Sequence, residues 1–167
     1  GARVMTKNRQ TKAVPVAALA GNPNVGKSTI FNALTGMRQH TGNWPGKTVS
    51  LAQGVCMYKG EEIRLVDLPG TYALVSKSQE ETLAAGFISG GEADCVIAVC
   101  DATSLERSLI LALQVMELTD RVIVCVNLMD EAQKQGIEID LAALSFELGV
   151  PVVAASASRE EGMGELL

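Results

Sequence analysis

Nine consecutive residues, Gly21-Asn22-Pro23-Asn24-Val25-Gly26-Lys27-Ser28-Thr29, fit the spacing Gly, four residues, Gly-Lys-Ser/Thr. Such a loop holds phosphate. Its backbone N–H groups and the start of the following helix cradle the oxygens, the lysine reaches the terminal phosphates, and the Ser28 hydroxyl suits Mg2+. Thr29 then falls beside an α-phosphate. Three further groups fit the same ligand. Asp67-Leu68-Pro69-Gly70 closes the apolar run Ile63–Val66, so its carboxylate can hold Mg2+ directly or through water, and Gly70 can offer a backbone N–H to a γ-phosphate and act as a hinge. In Asn127-Leu128-Met129-Asp130 the carboxylate would accept from both N1–H and the exocyclic amine of guanine, and would be repelled by the acceptor N1 of adenine. Asn127 can brace the loop and meet the base at N7. Ser156-Ala157 offers the backbone N–H of Ala157 to guanine O6. Alone, these last three groups are ordinary: a turn, a helix cap and a short loop use the same residues.

Position is what lifts them above that. Apolar runs bounded by turn residues predict strands over 14–20, 48–58, 61–67, 94–100, 121–127 and 151–155, and helical spacing predicts helices over 27–35, 79–89, 104–118 and 140–148. Lys59-Gly60 is short enough for a hairpin. Elsewhere strands and helices alternate, which requires right-handed crossovers and a parallel sheet. The expected fold is therefore α/β: a six-stranded, mostly parallel sheet with one antiparallel strand and helices on both faces. Ligands of such sheets bind beyond the carboxyl ends of the strands. Gly21, Asp67, Asn127 and Ser156 all fall at such ends, so the four groups should share one rim.

Composition agrees with this architecture. Apolar residues make up 47% of the 167 but aromatics only 4%, which suits a Val/Ile/Leu/Ala core between two helical layers. The net charge is −5, and residues 1–13 carry Arg3, Lys7, Arg9 and Lys12 without an acid, so the rest is more acidic still. An acidic body disfavours nucleic acid as a partner. Residues 1–13 are expected to be a disordered basic tail or an expression remnant, with one domain over 14–167. No run approaches the roughly 18 apolar residues of a membrane span. Cys56, Cys95, Cys100 and Cys125 fall in predicted strands without a Cys-x-x-Cys pair, and His40 is the only histidine, so reduced core thiols are expected. The last residues, Gly162-Met163-Gly164-Glu165-Leu166-Leu167, read as the start of a further helix, and the chain as part of a longer protein.

The motifs in this order resemble the Ras-like, translation-factor class of P-loop GTPases. From about Val14 onward the chain more narrowly resembles the N-terminal cytosolic G domain of FeoB-type ferrous iron transporters. The residues that carry this are Gly21-Asn22-Pro23-Asn24, Gly42-Asn43-Trp44-Pro45-Gly46-Lys47-Thr48-Val49, Asp67-Leu68-Pro69-Gly70-Thr71-Tyr72, Asp101-Ala102-Thr103-Ser104-Leu105-Glu106-Arg107 and Asn127-Leu128-Met129-Asp130-Glu131-Ala132. Gly-Asn-Trp-Pro-Gly is the most specific of them. The resemblance implies binding and slow, Mg2+-dependent hydrolysis of GTP, at the cytosolic face of the bacterial inner membrane. Helical and transmembrane domains would follow, and an oligomer could form through the membrane part. It makes Thr48 the switch I threonine, with a hydroxyl on Mg2+ and a backbone beside the attacking water, and has 42–48, including Gly46 and Lys47, order around the γ-phosphate. It also implies K+ between the β- and γ-phosphates, held by the Asn24 side chain and the Gly42 and Trp44 carbonyls. Composition by itself would make Trp44, the only tryptophan, a core anchor; the resemblance puts it in a mobile loop.

Two residues depart from the wider pattern. Thr71 stands where Ras-like proteins have a water-orienting glutamine, so hydrolysis must be slow or rescued by another group, a role that K+ would fill. Leu128 replaces a lysine, which predicts weaker binding and quick nucleotide exchange. Glu80 and Glu81 fall in the predicted switch II helix, where a solvated face is their ordinary role. A soluble GTPase of ribosome or tRNA maturation shares Asn24 and would need a basic RNA-binding extension. A small-molecule P-loop kinase is disfavoured by Asn127 and Asp130.

Overall fold

The computed structural model describes residues 14–36, 39–44, 50–58, 60–74 and 78–156. Its elements are β1 (Val16–Gly21), α1 (Lys27–Thr35), β2 (Gln39–Asn43), β3 (Ser50–Tyr58), β4 (Glu61–Asp67), α2 (Gln79–Ser89), β5 (Cys95–Asp101), a 3-10 turn (Ala102–Ser104), α3 (Leu105–Leu118), β6 (Val122–Asn127), α4 (Met129–Lys134), α5 (Leu141–Leu148) and β7 (Val152–Ala154). One sheet of seven strands has the order β2-β3-β4-β1-β5-β6-β7. Only β3 runs against the rest, antiparallel to both β2 and β4.

The six-strand expectation is therefore corrected to seven. The missed strand, β2, reads Gln-His-Thr-Gly-Asn and carries no apolar alternation. It forms because the backbone groups of β3 offer a ladder, from Gln39 opposite Gly54 to Asn43 opposite Ser50, and pairing of this kind leaves no hydrophobic trace in sequence. The β3–β4 hairpin is as expected, with Tyr58 opposite Glu61 and Gly60 at φ 80. The short helix α4 is a further element beyond those expected from sequence; its six residues begin inside the Asn127–Asp130 motif and run on to Lys134.

Alternation along the buried strands divides the core in two. Val96, Ala98 and Cys100 of β5 face Phe87 and Ile88 of α2 and Leu111 and Val115 of α3, whereas Ile97 and Val99 face Ile30, Phe31 and Leu34 of α1. Both sets are nearly inaccessible to water, as in parallel sheets covered on both sides. Trp44 joins the first core: it is 7% exposed, its ring meets Phe87 edge-on at 5.1 Å, and the Arg64 guanidinium lies 5.6 Å from its centre. The burial expected from composition is found here, with the ring between β4 and α2. Ser78 caps α2 by accepting from Glu81 N–H at 3.1 Å, and Glu80 and Glu81 lie in the first turn, where acids complement the helix dipole.

The four cysteines are free thiols. Burial pushes Cys100 and Cys125 up to about 12 from an ordinary 9.0, with smaller contributions from Asp101 and from Cys100 respectively. A raised folded pKa stabilises the fold fully below pH 9, and this stabilisation is lost as pH rises through 9 towards 12. At pH 8 a thiol reagent should therefore leave these two unlabelled in the folded protein and label all four in urea. Labelling of Cys100 or Cys125 without unfolding would contradict their burial.

Candidate nucleotide-binding site

Helix α1 starts at Lys27, directly after a loop bent by two left-handed residues, Asn24 at φ 68 and Gly26 at φ 79. Asparagine tolerates that conformation better than other side chains, and glycine adopts it freely. The bends turn the loop over the end of β1. An open cleft of about 460 Å3 results, lined by Asn22, Pro23, Asn24, Gly26, Lys27, Ser28 and Gly70. The first and second motifs thus meet in one cleft.

Lys27 is 9% exposed; its Nζ pairs with Asp67 Oδ1 and donates to the Leu68 carbonyl at 2.8 Å. The Asp-Leu-Pro-Gly segment is stitched to the phosphate loop by Leu68 N–H to Leu19 O and Thr71 N–H to Gly21 O, both at 3.1 Å. Pro69 lies between these two bonds. Gly70 sits so close to Pro23 that a Cβ there would meet the Pro23 backbone at 3.3 Å. Thr71 itself is only 6% exposed, so its side chain is packed rather than aimed at solvent.

The loop after β6 is coupled to the phosphate loop through one side chain. Asn127, at the end of β6 and 1% exposed, donates through Nδ2 to the Val25 carbonyl at 3.1 Å. Leu128 takes a left-handed conformation, φ 63, and forms the N-cap of α4, which turns Met129 and Asp130 into the first turn. Met129 N–H donates to Ala155 O at 3.2 Å, and Asp130 N–H to Ser156 Oγ at 3.2 Å. The third and fourth motifs are therefore tied together at the far end of the rim. Asp130 presents an acceptor-only carboxylate there, the chemistry that distinguishes guanine from adenine.

Metal chemistry can be judged from the donors present. Among the described residues no group of three or more His, Cys, Asp or Glu side chains could hold a metal ion. The Ser28 hydroxyl and Asp67 carboxylate are hard oxygen donors of the kind Mg2+ takes when waters and phosphates complete its shell, so they fit that ion. For K+, Asn24 lines the cleft, whereas Gly42 and Trp44 do not; the Gly42 carbonyl accepts from Gln53 Nε2 at 3.2 Å within the edge hairpin. Gly46, Lys47, Thr48 and Ala157 lie outside the described residues.

Sequence reasoning passed over the side chains around the far wall of the loop. Arg107 lies over the Tyr72 ring, 5.2 Å from its centre, and Gln114 Oε1 accepts from Leu74 N–H. The Asp101–Arg107 motif was the available signal, although it said nothing about a partner.

The comparisons agree on one family. The sequence model described as ferrous iron transport protein B matches residues 15–167. The Fe(2+) transporter FeoB of Salmonella typhimurium is 47% identical over 152 residues, which cover 89% of this chain and 20% of that protein. The chain thus spans about a fifth of the length of the curated relatives it matches. The G domain of the T. maritima FeoB iron transporter superposes with a TM-score of 0.84 at 46% identity, covering 92% of this chain and 94% of the other. The cytosolic domain of the same transporter, in a GDP form and a GMPPNP form, gives TM-scores of 0.87 and 0.86 at 47% identity, with 92% of this chain and 60% and 61% of the others covered.

Proposed function

The chain belongs to the ferrous iron transport protein B family, and on that premise we propose that residues 14–167 form a G domain that binds GTP and GDP and hydrolyses GTP to GDP and phosphate. It would regulate a longer membrane protein that moves Fe2+, from the cytosolic side, with helical and membrane-spanning parts beyond it. Among the described residues no helix is long and apolar enough to cross a membrane. The single observation that carries the GTP reading is the pair of links joining the motifs: Lys27 to Asp67 at the phosphate end, and Asn127 to the phosphate loop from the base end.

The residues divide the work as follows. Lys27 has to exchange Asp67 for phosphate oxygens, which frees that carboxylate to face Mg2+. Asn127 holds phosphate and base subsites at a fixed separation, so that base identity is felt at the reacting end. Gly70, against Pro23, brings its N–H to the side of the loop where a γ-phosphate ends. Thr71, packed and short, leaves the water without the amide that Ras-like proteins use, so turnover is slow. When bound, Mg2+ and K+ supply positive charge against the negative charge that develops in phosphoryl transfer. Thr48 would contribute its hydroxyl to Mg2+, and Asn24 its amide oxygen to K+.

The test is hydrolysis of GTP and ATP compared in KCl and NaCl with Mg2+ present, for the unaltered protein, Asn24→Gly and Asp130→Ala. Glycine keeps the left-handed turn and removes only the amide, whereas alanine would add strain. We expect GTP to be preferred, K+ to accelerate it, Asn24→Gly to lose the K+ effect while retaining GDP affinity, and Asp130→Ala to lose base preference. Equal use of ATP by the unaltered protein would undo the role of Asp130. A K+ effect that survives Asn24→Gly would undo that of Asn24.

A further inference from the structure

Sharing part of its lining with the nucleotide cleft is a second cavity of about 160 Å3. It is lined by Asn22, Asn24, Tyr72, Asp101, Ser104 and Arg107 among others. Of its lining, Asn22, Pro23 and Asn24 also belong to the nucleotide cleft. Asn22 is 5% exposed and its Oδ1 has no hydrogen-bond partner. Asp101 Oδ1 is taken up locally by the Thr103 N–H at 2.8 Å and hydroxyl at 2.6 Å.

Among the described residues, three contacts hold the segment after Gly70. Thr71 N–H donates to Gly21 O, the Tyr72 ring lies against the Arg107 guanidinium, and Leu74 N–H donates to Gln114 Oε1. Only the first of these reaches the phosphate loop directly. The other two attach the segment to α3, and Tyr72 is 51% exposed. Resting on the GTPase reading, we propose that Arg107 is a positioning residue for hydrolysis: by fixing Tyr72 it keeps the backbone of Gly70 and Thr71 aimed at the end of the phosphate loop. It touches no substrate. Its effect is exerted through the residue it stacks on, and a cation over an exposed tyrosine face is of a size to change a rate by about two- to fivefold.

The test uses Arg107→Ala, Arg107→Lys, Tyr72→Ala, Tyr72→Phe and the double Arg107→Ala/Tyr72→Ala in this chain. Three readings are taken: kcat and KM for GTP, GDP affinity, and amide exchange of residues 71–74 without nucleotide. Arg107→Ala and Tyr72→Ala should each lower kcat about threefold with KM and GDP affinity unchanged, and the double variant should be no worse than either. Lysine at 107 and phenylalanine at 72 keep a cation and a ring, so both should retain most of the rate. Exchange at 71–74 should quicken in the two alanine variants. Unchanged exchange and kcat in Arg107→Ala, additive losses in the double variant, or a parallel fall in GDP affinity would each overturn the proposal. An unaltered protein that does not hydrolyse GTP would defeat the function proposed above, and the exchange measurement would still decide whether Arg107 holds the segment.

Discussion

Lys27→Met is expected to lower kcat/KM for GTP by at least about a hundredfold, the scale on which removal of one preorganised charge at a reacting centre acts. Methionine keeps most of the apolar stem, so the loss isolates the ammonium group. A second effect follows from the geometry. That ammonium is the partner of Asp67, whose side chain is 17% exposed, and removing it leaves a largely buried carboxylate unpaired. Breaking one side of such a pair costs about 2–3 kcal/mol, less than for a fully buried pair because both side chains retain some solvent. The melting temperature without nucleotide should therefore fall as well. Lys27→Met/Asp67→Asn separates the two effects: with no charge left unpaired, stability should return while turnover stays lost. If Lys27→Met hydrolysed GTP normally, the lysine would have no part in phosphate binding.

Gly26→Ala is expected to be the most damaging single methyl group in the domain. At φ 79 an L side chain is strained, by about 1–2 kcal/mol. The added Cβ would also lie 2.3 Å from Asn127 Nδ2, a distance no real contact adopts, so the brace to Val25 must break or the loop must lift. Overpacking of this kind adds about 1–3 kcal/mol. Gly36→Ala is the matched control, with φ 56 and nothing within 4 Å of its Cβ; it should show the same conformational cost alone, about 1–2 kcal/mol. The excess of the first variant over the second, read by thermal unfolding, measures the Asn127 clash. On the proposed function, in which Asn127 joins phosphate and base subsites, Gly26→Ala should also weaken GDP binding at least about tenfold, and Gly36→Ala should not. Equal losses in the two variants would mean that the brace carries no energy.

Much of this architecture was legible beforehand because its signals are local. Val and Ile runs that end in Gly21, Asp67 and Asn127 mark buried parallel strands, and the residues at their ends must then share a rim. That inference needs only the rule that parallel strands carry their ligands at their carboxyl ends. β2 was not legible, since Gln39–Asn43 is held by the backbone of β3 and by nothing in its own side-chain pattern. Trp44 was legible in one way and not in another. Its size predicts burial, but only the meeting of β4 and α2 supplies Phe87 and Arg64 as its neighbours.

The identities of Lys27, Asp67, Asn127 and Asp130 were determined by sequence alone, because the spacing of motifs along strand ends is a property of the chain. Which of these side chains touch was decided only by tertiary structure. Asn127 and Val25 are 102 residues apart, Lys27 and Asp67 are 40 apart, and Arg107 meets Tyr72 across the space between α3 and the segment after β4. No local preference encodes such distances. They follow from the order in which parallel strands add to the sheet, which places β1 between β4 and β5 and so brings the phosphate loop within reach of both.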